Sequence, residues 1–129
     1  FQGTGINCKM NEFQAAMGLC ALPLVKRIRK KYDKIIKRYN EAFGYNYEQL
    51  TYYPVYYSSE EKVLKAIEEF EKYDIYPRRY FYPPLNKVFG GKDCPKAEDL
   101  MSRVLCLPLY YELTEKQQNK VIKIAQKTL

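Results

Sequence analysis

Histidine and tryptophan are absent from the 129 residues of this chain. Without histidine, the side chain that most often serves as a general base in catalysis is missing. The four cysteines, Cys8, Cys20, Cys94 and Cys106, include no Cys-x-x-Cys pair, so the sequence argues against a zinc site. Scattered cysteines in a chain without an export signal are typical of reduced thiols in a cytoplasmic protein.

The sequence also lacks the segments that mark export, membrane insertion or a standard active site. No stretch has the layout of a signal peptide, and no apolar run is long enough to cross a bilayer. The GxSxG, P-loop and dinucleotide-binding GxGxxG motifs are missing as well. We therefore expect no membrane partner. Because the chain opens at Phe1 rather than at a methionine, we expect a fragment of a longer protein.

The charge of the chain is strongly basic, with 22 Lys and Arg against 15 Asp and Glu and a net charge of +7. Such a balance permits contact with a polyanion without demonstrating it. The basic residues between Lys26 and Arg38 follow the polar face of an amphipathic helix, which is typical of a solvated surface. A non-enzymatic binding module that uses this basic helix on nucleic acid or another polyanion is therefore the alternative interpretation, and we do not favour it.

Helical spacing dominates the first third of the chain. Asn11 followed three residues later by Gln14 predicts an N-cap and a capping box. The helix behind them is apolar on nearly every side, so we expect it to be an interface element that faces another chain or a missing domain. Pro23 predicts the start of a second helix with apolar residues at helical spacing over 24–43, and Gly44 predicts its end.

Short strands and helices alternate in the remainder. Ser58 with Glu61, and Thr114 with Gln117, each predict a capping box at the start of a helix. Pro54 places the first, tyrosine-rich strand at an edge or a bulge. The predicted segments are a strand at 51–57, a helix through residue 73, a strand within 74–81, a loop from 82 to 95, a helix at 96–101, a strand at 104–107 and a helix from 115 to the C-terminus.

This order of elements predicts an α+β fold, in which a small sheet is covered by helices. We divide the chain into an interface helix with a long stem helix, residues 1–44, and a small C-terminal α+β domain, residues 45–129. The 14 tyrosines cluster around the predicted strands, and tyrosine suits both half-buried sheet positions and wet ligand pockets.

Four segments carry a family resemblance. "GINCKMNEFQAAMGLCAL" at 5–22 is the most specific, and "KRYNEAF", "YPRRYFYPPL" and "SRVLCLPLYYELTEKQ" follow in the same order along the chain. The chain resembles the C-terminal part of the DegT/DnrJ/StrS family of pyridoxal-phosphate-dependent sugar aminotransferases. The wording of the third segment is most similar to members that aminate nucleotide-linked 3-keto-6-deoxyhexoses.

The resemblance implies the stem and small domain of an aspartate-aminotransferase-like fold. It implies a parent enzyme that works as a homodimer, binds pyridoxal 5'-phosphate and transfers an amino group from glutamate to a nucleotide-linked keto-deoxyhexose. The Schiff-base lysine and the cradle of the cofactor ring would lie before Phe1. We therefore expect no catalytic residue here and no activity from the chain alone.

The resemblance also implies site residues. By the resemblance, Asn7 and Lys9 would reach the cofactor phosphate of the neighbouring subunit. An amide and an ammonium are groups that bind phosphate. The competing interpretation is that Asn7 supports the turn before the helix and that Lys9 is solvated.

A second set of site residues lies on the substrate side: Arg79, Tyr80, Tyr82 and Asn86, with Arg78 nearby. Asn86 stands where family members often carry a histidine, and an amide can hydrogen-bond a sugar or diphosphate but carries no charge. Because side chains alternate faces along a strand, we expect at least half of this set to be structural.

Overall fold

The computed structural model describes residues 9–48 and 51–129. Within those ranges a 3-10 turn at Leu22–Leu24 joins the first two helices, and no helix is both long and apolar enough to cross a membrane. The helices are α1 (Glu12–Ala21), α2 (Val25–Phe43), α3 (Glu60–Glu71), α4 (Leu85–Val88), α5 (Pro95–Arg103) and α6 (Glu115–Thr128), and the strands are β1 (Tyr53–Tyr56) and β2 (Val104–Leu107).

The ends of α1 and α2 follow the local chemistry that the sequence predicted. The backbone N–H of Gln14 donates to Asn11 Oδ1 at 2.9 Å, and the N–H of Asn11 donates to Gln14 Oε1 at 3.0 Å, which completes the capping box. α2 ends at Gly44, whose φ of 72° lies in the left-handed region that favours glycine. Pro23 lies in the 3-10 turn, and α2 begins two residues after it.

The start of α3 differs from the prediction by one residue. The N-cap is Ser59 rather than Ser58, and Ser59 Oγ accepts from the N–H of Lys62 at 3.3 Å. Two consecutive serines before an acidic first turn satisfy the same sequence rule, so only the backbone, extended at Ser59, distinguishes them. The capping box at Thr114 and Gln117 is confirmed, with 2.9 Å between Thr114 N and Gln117 Oε1.

The sheet is smaller than predicted. β1 and β2 pair antiparallel, with Tyr53 opposite Leu107 and Tyr56 opposite Val104. The strand predicted within 74–81 is wrong, because only Arg78 forms a bridge, exchanging two backbone hydrogen bonds with Cys106 at 3.1 and 2.7 Å. The N–H of Tyr82 turns back to Arg79 O, so the chain leaves the sheet soon after the bridge. The predicted loop from 82 to 95 contains the short helix α4.

One hydrophobic core joins the stem to the small domain. Ile35, Ile36 and Tyr39 of α2 are buried in the same cluster as the strands, α3 and α6. The Tyr39 hydroxyl donates to Pro108 O at 2.9 Å, and Gln118 Nε2 of α6 donates to Ile35 O at 2.7 Å. The second half of α2 therefore belongs to this core, and the division at residue 44 stays a prediction about the chain's organisation.

α1 contrasts with the core, because none of its residues is buried. Phe13 is 84% exposed, and Met17, Leu19 and Leu22 are also largely exposed. Within the described ranges, nothing covers this helix. The small domain of the same chain is thus not its cover, and its expected role as an interface element stays a prediction.

Candidate functional site

The cofactor-side residues precede α1. Asn7 lies outside the described residues, so its predicted phosphate contact stays a prediction. Lys9 is exposed, and within residues 9–48 and 51–129 its ammonium has no acidic partner. Its predicted contact with the phosphate of pyridoxal phosphate therefore stays a prediction. Among the described residues, no group of three or more Cys, Asp or Glu side chains could hold a metal ion.

Arg79 and Tyr82, two of the predicted substrate residues, come together with Glu60 at the start of α3. Arg79 Nη2 donates to Glu60 Oε1 at 2.9 Å and to Ser102 O at 3.0 Å. The guanidinium carbon lies 3.5 Å from the centroid of the Tyr82 ring. The Arg79 side chain is only 14% exposed, and its Nε is buried without an acceptor among the described residues.

The charged and polar side chains of this cluster stabilise one another. Hydrogen bonds from the Tyr82 hydroxyl and from Arg79 lower the pKa of Glu60, and the bond to Glu60 raises the pKa of Tyr82. Arg79 therefore links the N-terminus of α3 to the C-terminus of α5 and fixes the segment that carries Tyr80. Its direct contact with substrate stays a prediction, and so does that of Tyr82.

Tyr80 points to a different place, a cleft of about 560 Å³ between the end of β2, the segment 73–80 and the start of α6. The Tyr80 ring packs on Tyr52 with centroids 4.3 Å apart. We call this the tyrosine cleft. Its lining includes Tyr52, Tyr73, Tyr76, Tyr80 and Tyr110, together with Asp74, Arg78, Cys106, Gln117 and Lys120.

The tyrosine cleft carries two cations and one carboxylate. Lys120 Nζ lies 4.3 Å from the centroid of the Tyr73 ring, a cation–π contact. Within the described part of the chain, neither Arg78 nor Lys120 has an acidic partner, and Asp74 has no basic one. Burial raises the pKa of the Cys106 thiol at the cleft floor, which keeps that thiol protonated.

Sequence reasoning identified the tyrosine content but not the cleft. Tyr73, Tyr76, Gln117 and Lys120 were not among the predicted site residues. The clusters of tyrosine near the strands were the available signal. Lys120 gave none, because it is one of several lysines on the polar face of a helix and only packing brings it to Tyr73.

Asn86 belongs neither to the Arg79 cluster nor to the tyrosine cleft, and its amide is hydrogen-bonded within its own part of the chain. Its Nδ2 donates to Lys92 O at 3.1 Å and to Glu98 Oε1 at 2.7 Å. The N–H of Cys94 also donates to Glu98, and Lys87 Nζ lies 3.1 Å from its carboxylate. The Cys94 N–H and then the Asn86 amide lower the pKa of Glu98. Asn86 thus ties α4 to α5, and a substrate contact stays a prediction.

The fold matches part of the fold of solved aminotransferases. Over 95% of this chain and 37% of the other, it superimposes on a DegT DnrJ EryC1 StrS aminotransferase from Brucella abortus, with a TM-score of 0.79 and 24% sequence identity. PseC of Helicobacter pylori, an aminotransferase involved in the biosynthesis of pseudoaminic acid, gives a TM-score of 0.72 at 21% identity, over 98% of this chain and 39% of that one. The α+β prediction is therefore confirmed.

The chain belongs to the DegT/DnrJ/EryC1/StrS aminotransferase family, whose sequence model matches residues 2–126. It is 28% identical to dTDP-4-amino-4,6-dideoxy-D-glucose transaminase of Escherichia coli, over 93% of this chain and 38% of that protein. An uncharacterised protein of Methanocaldococcus jannaschii is 29% identical over 95% of this chain and 38% of its own length. The chain thus spans 38% of the length of these relatives.

These likenesses confirm the predicted family and leave the nucleic-acid alternative without support. Pyridoxal phosphate is the cofactor of the family: Spr1654 of Streptococcus pneumoniae, assigned as a sugar aminotransferase, has been solved in its PLP form and superimposes with a TM-score of 0.80 at 23% identity. That alignment covers 95% of this chain and 37% of the other.

Proposed function

We propose that this chain forms the C-terminal part of a pyridoxal-phosphate-dependent enzyme that transfers an amino group from glutamate to a nucleotide-linked keto-6-deoxyhexose. The observation that carries the proposal is the family match over residues 2–126, in a chain that spans 38% of the length of its relatives. The E. coli relative is named for a sugar with its amino group at carbon 4. Both 3-keto and 4-keto sugars are therefore candidate substrates.

In this proposal the chain supplies positioning rather than the reacting amine. When bound, pyridoxal phosphate supplies the electron sink through which an amino group moves between donor and acceptor. Asn7 and Lys9 hold its phosphate from the neighbouring subunit of a homodimer, with α1 packed in the interface behind them. An exposed, unpaired Lys9 at the start of an uncovered apolar helix supports this arrangement.

The small domain then forms one wall of the substrate site. Arg79, fixed between Glu60 and Ser102, acts as a positioning residue that presents Tyr80 and the following segment. Asn86 acts through the loop that joins α4 to α5. Because the chain has no histidine, we assign the proton transfers to the remainder of the enzyme.

The test is amination by the protein made from the whole gene, compared with residues 1–129 alone. Each is supplied with pyridoxal phosphate, glutamate and either a 3-keto or a 4-keto dTDP-6-deoxyhexose, and the amino sugar and 2-oxoglutarate are measured by mass spectrometry. We expect equal amounts of both products from the whole protein and neither from residues 1–129. Turnover by residues 1–129, or no amino sugar from the whole protein with either substrate, would refute the proposal.

A further inference from the structure

One side of α2 carries a row of cations. At 100° per residue, six of them occupy an arc of about 140° around the helix and about 17 Å along its axis. The one acidic residue between them in sequence, Asp33, lies just outside that arc. Five of the six side chains are exposed, and Lys31 is half-buried. We call this set the basic face: Lys26, Arg27, Lys30, Lys31, Lys34 and Lys37.

The basic face has no counter-charge within residues 9–48 and 51–129. None of its six cations forms an ion pair there. Lys65, Lys72 and Lys127 differ, because each lies 2.7 or 2.8 Å from a glutamate carboxylate. Like charges three or four residues apart on a helix repel one another. The basic face is thus internally repulsive, and an anionic surface outside the chain would offset that repulsion.

The composition of the basic face indicates which kind of anionic surface fits it. Five of its six cations are lysines, and only Arg27 can bind a phosphate through two parallel hydrogen bonds. Protein interfaces are depleted in lysine and enriched in arginine and aromatic residues. Nucleic-acid sites combine cations with side chains that read or stack on bases, and no aromatic or amide side chain shares this arc. A row of lysines instead suits a layer of anionic lipid headgroups.

We propose that the basic face docks the protein on an anionic membrane surface, with its cations against lipid phosphates and with no segment inserted into the bilayer. The expectation of no membrane partner concerned segments that insert, whereas attraction to headgroups requires only surface charge. None of the predicted cofactor or substrate residues belongs to the basic face. The inference therefore goes beyond the proposed function and does not depend on it.

Co-sedimentation with lipid vesicles tests the inference on the protein made from the whole gene. Vesicles of phosphatidylglycerol and phosphatidylcholine in equal parts should bind the protein at about 50 mM salt, and vesicles of phosphatidylcholine alone should not. Raising the salt to about 500 mM should release the protein, because salt screens charges that are exposed to solvent.

A matched pair of double variants separates the basic face from the net charge. Lys30→Gln with Lys34→Gln should weaken vesicle binding about 25-fold, since each cation near an anionic surface contributes about five-fold in affinity. Lys96→Gln with Lys116→Gln removes the same charge from α5 and α6 and should change binding by less than about two-fold. All four lysines are exposed, so both variants should match the parent protein in circular dichroism and in amination activity.

The outcomes separate this inference from the proposed function. Equal losses of binding in the two double variants overturn it, as does equal binding to both kinds of vesicle or to neither. Duplex DNA that displaces the protein from the vesicles at equal phosphate concentration also overturns it and assigns the basic face to nucleic acid. If vesicle binding depends on Lys30 and Lys34 but no keto sugar is aminated, the docking surface stands and the proposed function has failed.

Discussion

Replacing Gln118 by glutamate probes how α6 is attached to the stem helix. Gln118 is 2% exposed and is the one buried polar or charged side chain within residues 9–48 and 51–129. Its Nε2 donates to Ile35 O across 2.7 Å. Glutamate has the same shape, but an ionised carboxylate would place a negative oxygen against that carbonyl oxygen. A protonated carboxyl could still donate.

The cost follows from the pKa of the introduced carboxyl. Burial raises the pKa of a glutamate from about 4.3 to about 7 or above. At pH 7 the variant must then either take up a proton or keep a desolvated charge, which lowers the free energy of unfolding by about 3–4 kcal/mol. A domain of this size is stable by about 6–19 kcal/mol, so the loss is readily measured.

Urea unfolding followed by far-UV circular dichroism is the assay, at several pH values between about 4 and 7. Because the folded-state pKa is raised, the penalty is absent below the unfolded-state value and grows as pH rises toward neutrality. Gln117→Glu is the matched control, since that neighbour is exposed and glutamate preserves its capping box. We expect the control to change stability by less than about 0.5 kcal/mol.

Two results would refute this reasoning. If Gln118→Glu and Gln117→Glu have equal stabilities at pH 7, then residue 118 is not buried against α2. If Gln118→Glu is destabilised by the same amount at all pH values, then the cause is packing rather than ionisation. The first result would require the packing of α6 on the second half of α2 to be revised, and the second would refute the pKa argument.

Two further predictions concern an ion pair and the glycines. Hydrogen bonds from Lys127 and Lys72 lower the pKa of Glu69 from 4.5 to about 2. The stability that these bonds contribute is therefore present above pH 4.5 and is lost as the pH falls toward about 2. Glu69→Gln should abolish this part of the acid dependence, and unfolding curves that keep it would contradict the assignment. Gly44→Ala should lower the unfolding free energy by about 1 kcal/mol because φ is 72°, whereas Gly18→Ala, inside α1, should raise it by about 0.5–1 kcal/mol, and equal signs in denaturant unfolding would show that backbone conformation is not the cause.

Features set by neighbouring residues could be predicted from the sequence. The capping boxes at Asn11 and Thr114 and the stop at Gly44 depend on side chains that reach only three or four residues along the chain. Their geometry is nearly the same in any protein. Where two local solutions were equivalent, as at Ser58 and Ser59, the prediction missed by one residue.

Features set by distant partners could not be predicted. The bridge at Arg78 depends on Cys106, and the position of Arg79 depends on Glu60 and Ser102. No periodic pattern marks such contacts, because one arginine looks like another in sequence. The sequence drew attention to the segment around them, but which arginine is held inside and which one lines the cleft follows only from packing.

The tyrosine cleft illustrates the same limit for a cavity. Tyr52 and Lys120 line one cavity although 68 positions separate them in the numbering. The sequence favoured the segment around Tyr82 and Asn86, whose bonds in the structure are to Glu60 and Glu98 and whose substrate contacts stay predictions. A cavity wall built from a helix and a loop that are distant in sequence cannot be recognised until the core has brought them together.

The exposure of α1 has a physical consequence that links the fold to the proposed function. Phe13, Met17, Leu19 and Leu22 are each at least 69% exposed, and full burial of such side chains contributes about 1.5–3 kcal/mol apiece. Covering all four would therefore contribute about 6–12 kcal/mol, which is comparable to the cost of associating two proteins. Monomeric proteins rarely expose an apolar surface of this kind. In the proposed function this surface is covered by a neighbouring subunit, which is why α1 can be both apolar and exposed in the single chain.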